Sequence, residues 1–184
     1  SDLYGRRSLD TLLEKLCRID GIEWIRLHYL YPDEIDPQLI DMIAAEPKIL
    51  KYLDIPIQHI SDPVLKLMNR RGTGAEIRAL FDTLRRRIPG LVLRTSLITG
   101  LPGEGEAEFD ELCAFLRQAK IERAGVFPYS PEEGTAAFSM PRADTETAER
   151  RAELVGVIQE EIMRDFDESR LGRTETVLCC GYDE

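Results

Sequence analysis

Residues 91–108 constrain the fold of this 184-residue chain more than any other stretch. An apolar run rich in β-branched residues stops at Gly100, a Gly-Leu-Pro-Gly turn follows, and acidic residues suited to the first turn of a helix come next. This order of strand, loop and helix is the repeating unit of an α/β protein. Arg94 and Ser96 lie two residues apart in the run and therefore share one face of the strand. Because a buried arginine needs a partner, that face is predicted to line a polar cavity.

Strand and helix patterns alternate along the whole chain. Strands are predicted over 23–30, 52–57, 91–99, 122–127 and 174–180. Helices are predicted after caps at Ser8, Asp36, Ser61, Thr73 and Asp144, and over 107–119. Thr73 with Glu76 matches a capping box. The apolar stripe of the last helix is predicted to consist of Leu154, Ile158, Ile162 and Phe166.

Regular alternation of this kind implies a parallel sheet with right-handed crossovers. Four strand–helix units are about half of a (β/α)₈ barrel. The alternative is an open, doubly wound sheet. In both architectures, ligands bind at the carboxyl ends of the strands.

Each predicted strand carries polar or aromatic groups on one face near its carboxyl end. These groups are Arg26 with His28, Asp54 with Gln58, Arg94 with Ser96, and Gly125 with Phe127 and Tyr129. Such a set suits a small polar ligand with a carboxylate and an aromatic base. Arg94 would then clamp the carboxylate, while Phe127 or Tyr129 would form an apolar wall. The alternative is an internal ion pair of Asp54 with Arg94 or Arg26 that only satisfies a polar core.

Three further sites are weighed against simpler interpretations. The turn at Gly100 has the position of a phosphate loop, but Glu104 and its acidic neighbours would repel a phosphate. His28 and His59 with Asp54 have the chemistry of a metal site but not its usual spacing, which favours histidines with an ordinary structural role. The basic segment 66–71 can contact a substrate or a phosphate, although a solvated loop is its default interpretation.

The composition narrows the choice of partners. Acidic residues outnumber basic ones 34 to 24, for a net charge of −10, which disfavours nucleic acid and fits a basic protein. The simpler interpretation is that this charge only keeps the protein soluble. No apolar run approaches the length of a membrane span, and no signal peptide opens the chain. The cysteines are predicted to be reduced thiols of a cytoplasmic protein, with Cys17 and Cys113 in the core and Cys179 and Cys180 on opposite faces of the last strand.

Four motifs in this order resemble those of the radical S-adenosylmethionine (SAM) methylthiotransferases. They are Tyr52-Leu-Asp-Ile-Pro-Ile-Gln-His, Leu65-Lys-Leu-Met-Asn-Arg-Arg-Gly-Thr, Arg94-Thr-Ser-Leu-Ile-Thr-Gly-Leu-Pro-Gly-Glu and Phe127-Pro-Tyr-Ser-Pro-Glu-Glu-Gly-Thr-Ala. The residues of these motifs are closer to the branch of the family that acts on the twelfth small-subunit ribosomal protein than to the branch that acts on tRNA. The resemblance covers nearly the whole chain.

The resemblance implies that residues 1–171 form the C-terminal part of a radical SAM barrel and that 172–184 begin a C-terminal TRAM β-domain. It implies SAM binding by Gln58, Arg94, Ser96, Phe127 and Tyr129. The implied reaction adds a methylthio group to the β-carbon of an aspartate in the ribosomal protein. The implied full-length enzyme carries two [4Fe–4S] clusters.

The chain departs from that family in its cysteines, because none of the four has the C-x₃-C-x₂-C spacing of a cluster loop. We therefore expect a fragment that is inactive alone and that self-associates through exposed sheet edges. A tRNA-modifying fragment is the second interpretation. A non-catalytic α/β binding module is the third.

Overall fold

The computed structural model describes residues 5 and 7–181. Its centre is a parallel sheet of four strands, β1 (Ile25–Leu27), β2 (Ile49–Asp54), β3 (Val92–Thr99) and β4 (Arg123–Pro128). The six α-helices of this part of the chain are α1 (Leu9–Cys17), α2 (Pro37–Ala45), α3 (Asp62–Leu67), α4 (Gly74–Arg87), α5 (Glu106–Ala119) and α6 (Thr145–Glu168). Short 3₁₀ turns lie at Pro32–Glu34 and Ala136–Ser139. The predicted α/β class is confirmed.

The strands follow one another in the sheet in the order β1-β2-β3-β4. A doubly wound sheet reverses its strand order near the middle, whereas the strands of a barrel succeed one another in chain order. The observed order therefore fits part of a barrel and not the open doubly wound alternative. β1 and β4 are the two edges of this sheet, and self-association through them stays a prediction.

Helix starts agree closely with the predicted caps. The Asp36 side chain accepts a hydrogen bond from the Leu39 amide at 2.8 Å, and the Asp144 side chain accepts one from Thr147 at 2.7 Å. The capping box of Thr73 and Glu76 forms as predicted. Caps are local interactions within one turn, so the sequence alone suffices to locate them.

The core lies between one face of the sheet and the helices. Leu53, Leu93 and Leu97 on the strands are fully buried with Ile43 of α2 and Leu112 of α5. The side chains that alternate with them point to the other face, which stays partly exposed. This alternation is the one predicted from the sequence, and it leaves the polar groups on a face of their own.

Two strands differ from their predicted bounds. β1 has three residues instead of eight, because the chain turns at Tyr29, whose φ is +56°. β2 begins at Ile49, three residues earlier than predicted, and ends at Asp54. Pairing with neighbouring strands fixes these bounds, and the local pattern of side chains does not contain that information.

The buried face of α6 is also displaced from the predicted stripe. Ile158 and Ile162 are buried as predicted, but Leu154 is 49% exposed and Val155 is fully buried in its place. Arg151 and Gln159 also lie on the buried face. The buried face of α6 therefore includes polar side chains that a purely apolar stripe overlooks.

The predicted strand over 174–180 is wrong, since residues 173–181 have no regular structure and are exposed. None of the four strands pairs with this segment, so its backbone has no ladder to join. Cys179 and Cys180 are exposed thiols and do not alternate across a sheet. The start of a further domain near residue 172 stays a prediction.

No helix in the described part of the chain combines the length and the apolar character that crossing a membrane requires.

Candidate functional site

Gln58, four residues past the end of β2, meets Ser96 in the second half of β3. The Gln58 amide donates to the Ser96 carbonyl at 2.9 Å, and the Gln58 carbonyl accepts from the Ile98 amide at 2.9 Å. This isolated parallel bridge extends the β2 line past Asp54. Gln58 has a φ of +68°, a rare conformation for a residue with a side chain. Such backbone strain clusters at ligand sites, where the surrounding structure enforces it.

Gln58 and Ser96 share a cavity of about 200 Å³. Its other lining residues are Tyr29, Leu30, Tyr31, Pro56 and Arg70. A second cavity of about 350 Å³ lies next to it and shares Tyr31, Pro56 and Arg70. Their combined space falls in the range of about 300–1,000 Å³ that is typical of small-molecule sites. Aromatic rings, an amide, a hydroxyl and a guanidinium are the groups that a nucleoside with a charged tail requires.

Arg94 lies two residues before Ser96 on the same face of β3, but it already has a partner. Its Nη1 donates to Asp54 Oδ1 at 2.7 Å. The hydrogen bond to Asp54 raises the pKa of Arg94, although burial acts in the opposite direction. The structure thus contains the internal Asp54–Arg94 pair that the sequence left as an alternative, and the clamp expected from Arg94 is engaged within the protein.

Phe127 and Tyr129 lie on or just after β4 and contribute to neither cavity. Phe127 is 55% exposed and pairs in register with Ile98. The Tyr129 amide donates to the Thr99 carbonyl at 2.8 Å. Of the five predicted site residues, the structure therefore brings Gln58 and Ser96 together in one cavity. Arg94 is adjacent to them, and the two aromatic residues lie one strand away.

Arg26 and His28 share the polar face of the sheet, as their spacing predicts. The Arg26 guanidinium stacks over Tyr52 with its Cζ 4.0 Å from the ring centre. His28 Nδ1 lies 3.5 Å from Asp54 Oδ2. His59 does not belong to this arrangement, because its side chain is fully buried and faces Glu104. Among the residues that the structure describes, no cluster of three or more acidic, histidine or cysteine side chains can hold a metal ion.

A buried polar cluster lies behind the cavity and was not predicted. Glu104 accepts hydrogen bonds from the Gly100 amide and from Arg151 Nη1, both at 2.9 Å. His59 Nε2 lies 3.3 Å from the other carboxylate oxygen. His59 Nδ1 accepts from the Ser61 amide at 3.0 Å, so the ring proton belongs on the nitrogen that faces Glu104.

This cluster gives Glu104 a structural role at the turn, while the prediction that the acidic residues there repel a phosphate stays a prediction. Burial by itself raises the pKa of Glu104, but the His59 imidazole at 3.3 Å and the hydrogen bonds from the Gly100 amide and Arg151 outweigh it and hold the pKa below its ordinary value. The carboxylate therefore anchors the Gly-Leu-Pro-Gly turn to α6. The only indication in the sequence is the spacing: Glu104 follows Gly100 by four residues, which lets its side chain reach back and accept from the Gly100 amide.

Arg70 belongs to the basic segment 66–71, for which the sequence analysis gave contact with a substrate or a phosphate only as the second interpretation. It lines both cavities, whereas the default interpretation of segment 66–71 was a solvated loop. The adjacent Arg71 is 85% exposed in its side chain and lies 3.5 Å from Asp33. The position of this segment in the sequence could have indicated a role in binding, because it follows the carboxyl end of β2 after one short helix.

The four cysteines do not fit an iron–sulfur cluster. Cys113 is buried in α5 and burial raises the pKa of its thiol, which disfavours the thiolate that binds iron. Cys17 is half-buried in α1, while Cys179 and Cys180 are exposed near the other end of the chain. Within residues 5 and 7–181, no ligand set for a cluster exists.

The chain is similar to several characterised proteins. The family model described as the radical SAM superfamily matches residues 4–116. The ribosomal protein uS12 methylthiotransferase RimO of Pelobacter propionicus is 51% identical over 185 residues, covering 100% of this chain and 41% of that protein. The RimO of Acetivibrio thermocellus is 48% identical over 184 residues, covering 100% of this chain and 41% of that protein. This chain thus spans about two-fifths of the length of these relatives.

Among solved structures, coproporphyrinogen III oxidase (HemN) from Escherichia coli, a radical SAM enzyme, has a similar fold. The TM-score is 0.68 and the identity 20%, covering 88% of this chain and 38% of that one. At this identity the likeness concerns the fold alone, and it agrees with the strand order of a barrel segment.

Proposed function

This chain belongs to the radical SAM superfamily, and we propose that it forms part of a RimO-type methylthiotransferase. The proposed reaction adds a methylthio group to the β-carbon of an aspartate in ribosomal protein uS12. The observation that carries this proposal is the identity of 51% and 48% to two RimO proteins over the whole chain. The net charge of −10 supports a basic protein substrate over tRNA.

We propose that this segment holds SAM in the cavity lined by Gln58, Ser96 and Arg70. When bound, SAM supplies the methyl group and, in a second molecule, the radical that abstracts hydrogen from the substrate carbon. The Ser96 hydroxyl and the Gln58 amide suit the ribose, Arg70 suits the methionine carboxylate, and Tyr29 or Tyr31 suits the base. Arg94 supports the site through Asp54. Phe127 and Tyr129 line neither cavity, and their contact with the adenine stays a prediction.

The cysteines of this segment supply no cluster site, so the proposed two [4Fe–4S] clusters depend on residues of the longer protein. We also propose that residues 172–184 begin a C-terminal TRAM β-domain and that the protein is cytoplasmic. The free thiols of the described residues agree with a reducing compartment.

The test uses the full-length protein with its clusters rebuilt, supplied with SAM, a reductant and a sulfur source. Ribosomal protein uS12 and tRNA are offered together, and mass spectrometry reports which of them gains a methylthio group. We expect modification of one aspartate of uS12 and none of tRNA. Modification of tRNA, or of neither substrate despite cleavage of SAM, would contradict the proposed function.

The cavity assignment predicts a specific effect for Arg70→Met. Removing a charged hydrogen-bond donor from a bound carboxylate should weaken SAM binding about tenfold or more. Equilibrium binding of SAM to the full-length protein with rebuilt clusters is the measurement. Arg86→Met is the control, since Arg86 is exposed on α4 and lines neither cavity, and we expect its SAM affinity to change less than about twofold. Equal effects of the two variants would argue against the assignment.

A further inference from the structure

The partly exposed face of the sheet carries a cation that has no acidic partner. Arg26 on β1 is exposed, and within the described residues it forms no ion pair. Its guanidinium stacks on the Tyr52 ring at 4.0 Å. Stacking of this kind orders the guanidinium plane while its N–H groups remain free at the edge. Within the described residues Arg26 therefore has no acidic partner, and its free N–H groups are available to a ligand.

The nearest acid on this face cannot serve Arg26, because it is already engaged. Asp54 is 1% exposed and accepts from Arg94 at 2.7 Å. His28 approaches the other oxygen of Asp54 at 3.5 Å. The charges of Asp54 and Arg94 cancel, so the group of Asp54, Arg94 and Arg26 has a net positive charge. The chain as a whole has a net charge of −10. Such local positive charge favours an anionic ligand.

His28 supplies a second polar group beside Arg26. Arg26 is on β1 and His28 directly follows that strand, so the two side chains are about 7 Å apart on the same face. The Tyr52 ring lies against both of them, with its centre 6.2 Å from that of His28. The side chain of His28 is 45% exposed, which leaves its outer edge accessible.

We propose that Arg26, assisted by His28, forms a subsite that binds a carboxylate, and that this carboxylate is the side chain of the target aspartate. This assignment rests on the proposed function. A guanidinium edge matches a carboxylate through two parallel hydrogen bonds. The β-carbon of an aspartate is bonded directly to its carboxylate, so clamping that group fixes the position of the carbon to be modified. Arg26 and His28 are therefore substrate-binding and positioning residues.

SAM also contains a carboxylate, and the structure separates the two positions. The cavity of Gln58, Ser96 and Arg70 lies at the carboxyl ends of β2 and β3 and includes neither Arg26 nor His28. Arg26 lies on β1, at the edge of the sheet. The inference thus assigns the carboxylate of SAM to Arg70 and the carboxylate of the substrate to Arg26.

The experiment is a double-substitution cycle on binding, performed with the full-length protein carrying rebuilt clusters and SAM. The probe is a uS12 peptide containing the target aspartate, or the same peptide with asparagine at that position. We expect Arg26→Met to weaken binding of the aspartate peptide about tenfold or more. The same variant should change binding of the asparagine peptide less than about twofold, because the charged partner is already absent. His28→Gln should show the same pattern with a smaller loss.

Arg123→Met is the matched control, because Arg123 is also a strand arginine near an aromatic ring, at 5.5 Å from Phe166, and lies at the opposite edge of the sheet. It should bind both peptides like the parent protein, and unfolding midpoints should confirm that all variants fold. If Arg26→Met weakens binding of both peptides equally, or leaves binding of both unchanged, the inference is overturned. A loss of SAM affinity without peptide would assign the carboxylate to SAM and overturn it as well. Failure of the parent protein to modify uS12 would overturn the proposed function first, before any variant is compared.

Discussion

Replacing Glu104 with alanine is expected to lower the free energy of unfolding by about 3–5 kcal/mol. The carboxylate is fully buried and partners both the Gly100 amide and Arg151, whose side chain is itself almost completely buried. Removing it leaves the buried Gly100 amide without its acceptor and takes from Arg151 its one buried carboxylate partner, so that only the Glu104 carbonyl and the exposed Glu106 remain for the guanidinium. Because a protein of this size is stable by only about 5–15 kcal/mol, urea unfolding should show the change clearly.

Glu106→Ala is the matched control for Glu104→Ala. Glu106 binds the same arginine at 2.6 Å, but its side chain is 77% exposed. An exposed ion pair contributes little, so the control should lose less than about 1 kcal/mol. A similar loss in both variants would show that burial does not set the strength of the pair.

The Glu104 carboxylate also predicts how stability depends on pH. Its pKa in the folded protein lies below the ordinary value of 4.5. Its contribution is therefore fully present above about pH 4.5 and is lost as the pH falls through the folded pKa. Glu104→Gln, which cannot titrate, should lose stability less steeply than the parent protein as the pH falls below about 5. Parallel profiles of the two proteins would contradict the low pKa.

Gly100→Ala is expected to lower the free energy of unfolding by about 3 kcal/mol or more. The backbone of Gly100 has a φ of +76°, where a side chain is strained. A Cβ added there would lie 2.4 Å from the Cβ of Ala148 and 3.1 Å from its Cα. Ala148 belongs to α6 and has no flexible side chain to move aside. Thermal or urea unfolding measures the loss.

Two further variants separate strain from the steric clash. Gly134 has a φ of +80° and nothing within 4 Å of an added Cβ, so Gly134→Ala should show the strain alone, about 1 kcal/mol. Adding Ala148→Gly to Gly100→Ala removes the clashing methyl group and should recover part of the loss. Equal losses at Gly100 and Gly134, with no recovery in the double variant, would mean that the turn and α6 do not touch as described.

Local patterns in the sequence carried much of the fold. The caps at Asp36, Thr73 and Asp144 act within one helical turn, and all three form as predicted. The period-two pattern around Arg94 and Ser96 placed polar groups on one face of the sheet, where the structure has them. These predictions succeeded because each depends on residues that are neighbours along the chain.

Predictions that depend on contacts between distant segments fared less well. The strand over 174–180 is absent because no described strand lies beside it to pair with. The face of α6 is rotated toward Val155, since its position depends on packing against the sheet and α5. Arg94 has the side chain of a ligand clamp, but a second strand brings Asp54 to it.

The sequence by itself determined the α/β class, the helix starts, the polar face and the resemblance that led to the superfamily. Only the tertiary structure decided which charges satisfy one another and which remain free for a ligand. It paired Asp54 with Arg94 across 40 residues and Glu104 with Arg151 across 47. Among the described residues it left Arg26 without an acidic partner, and it placed Arg70 at the cavity. The reason is that electrostatic pairing depends on distances through space, and the sequence fixes only distances along the chain.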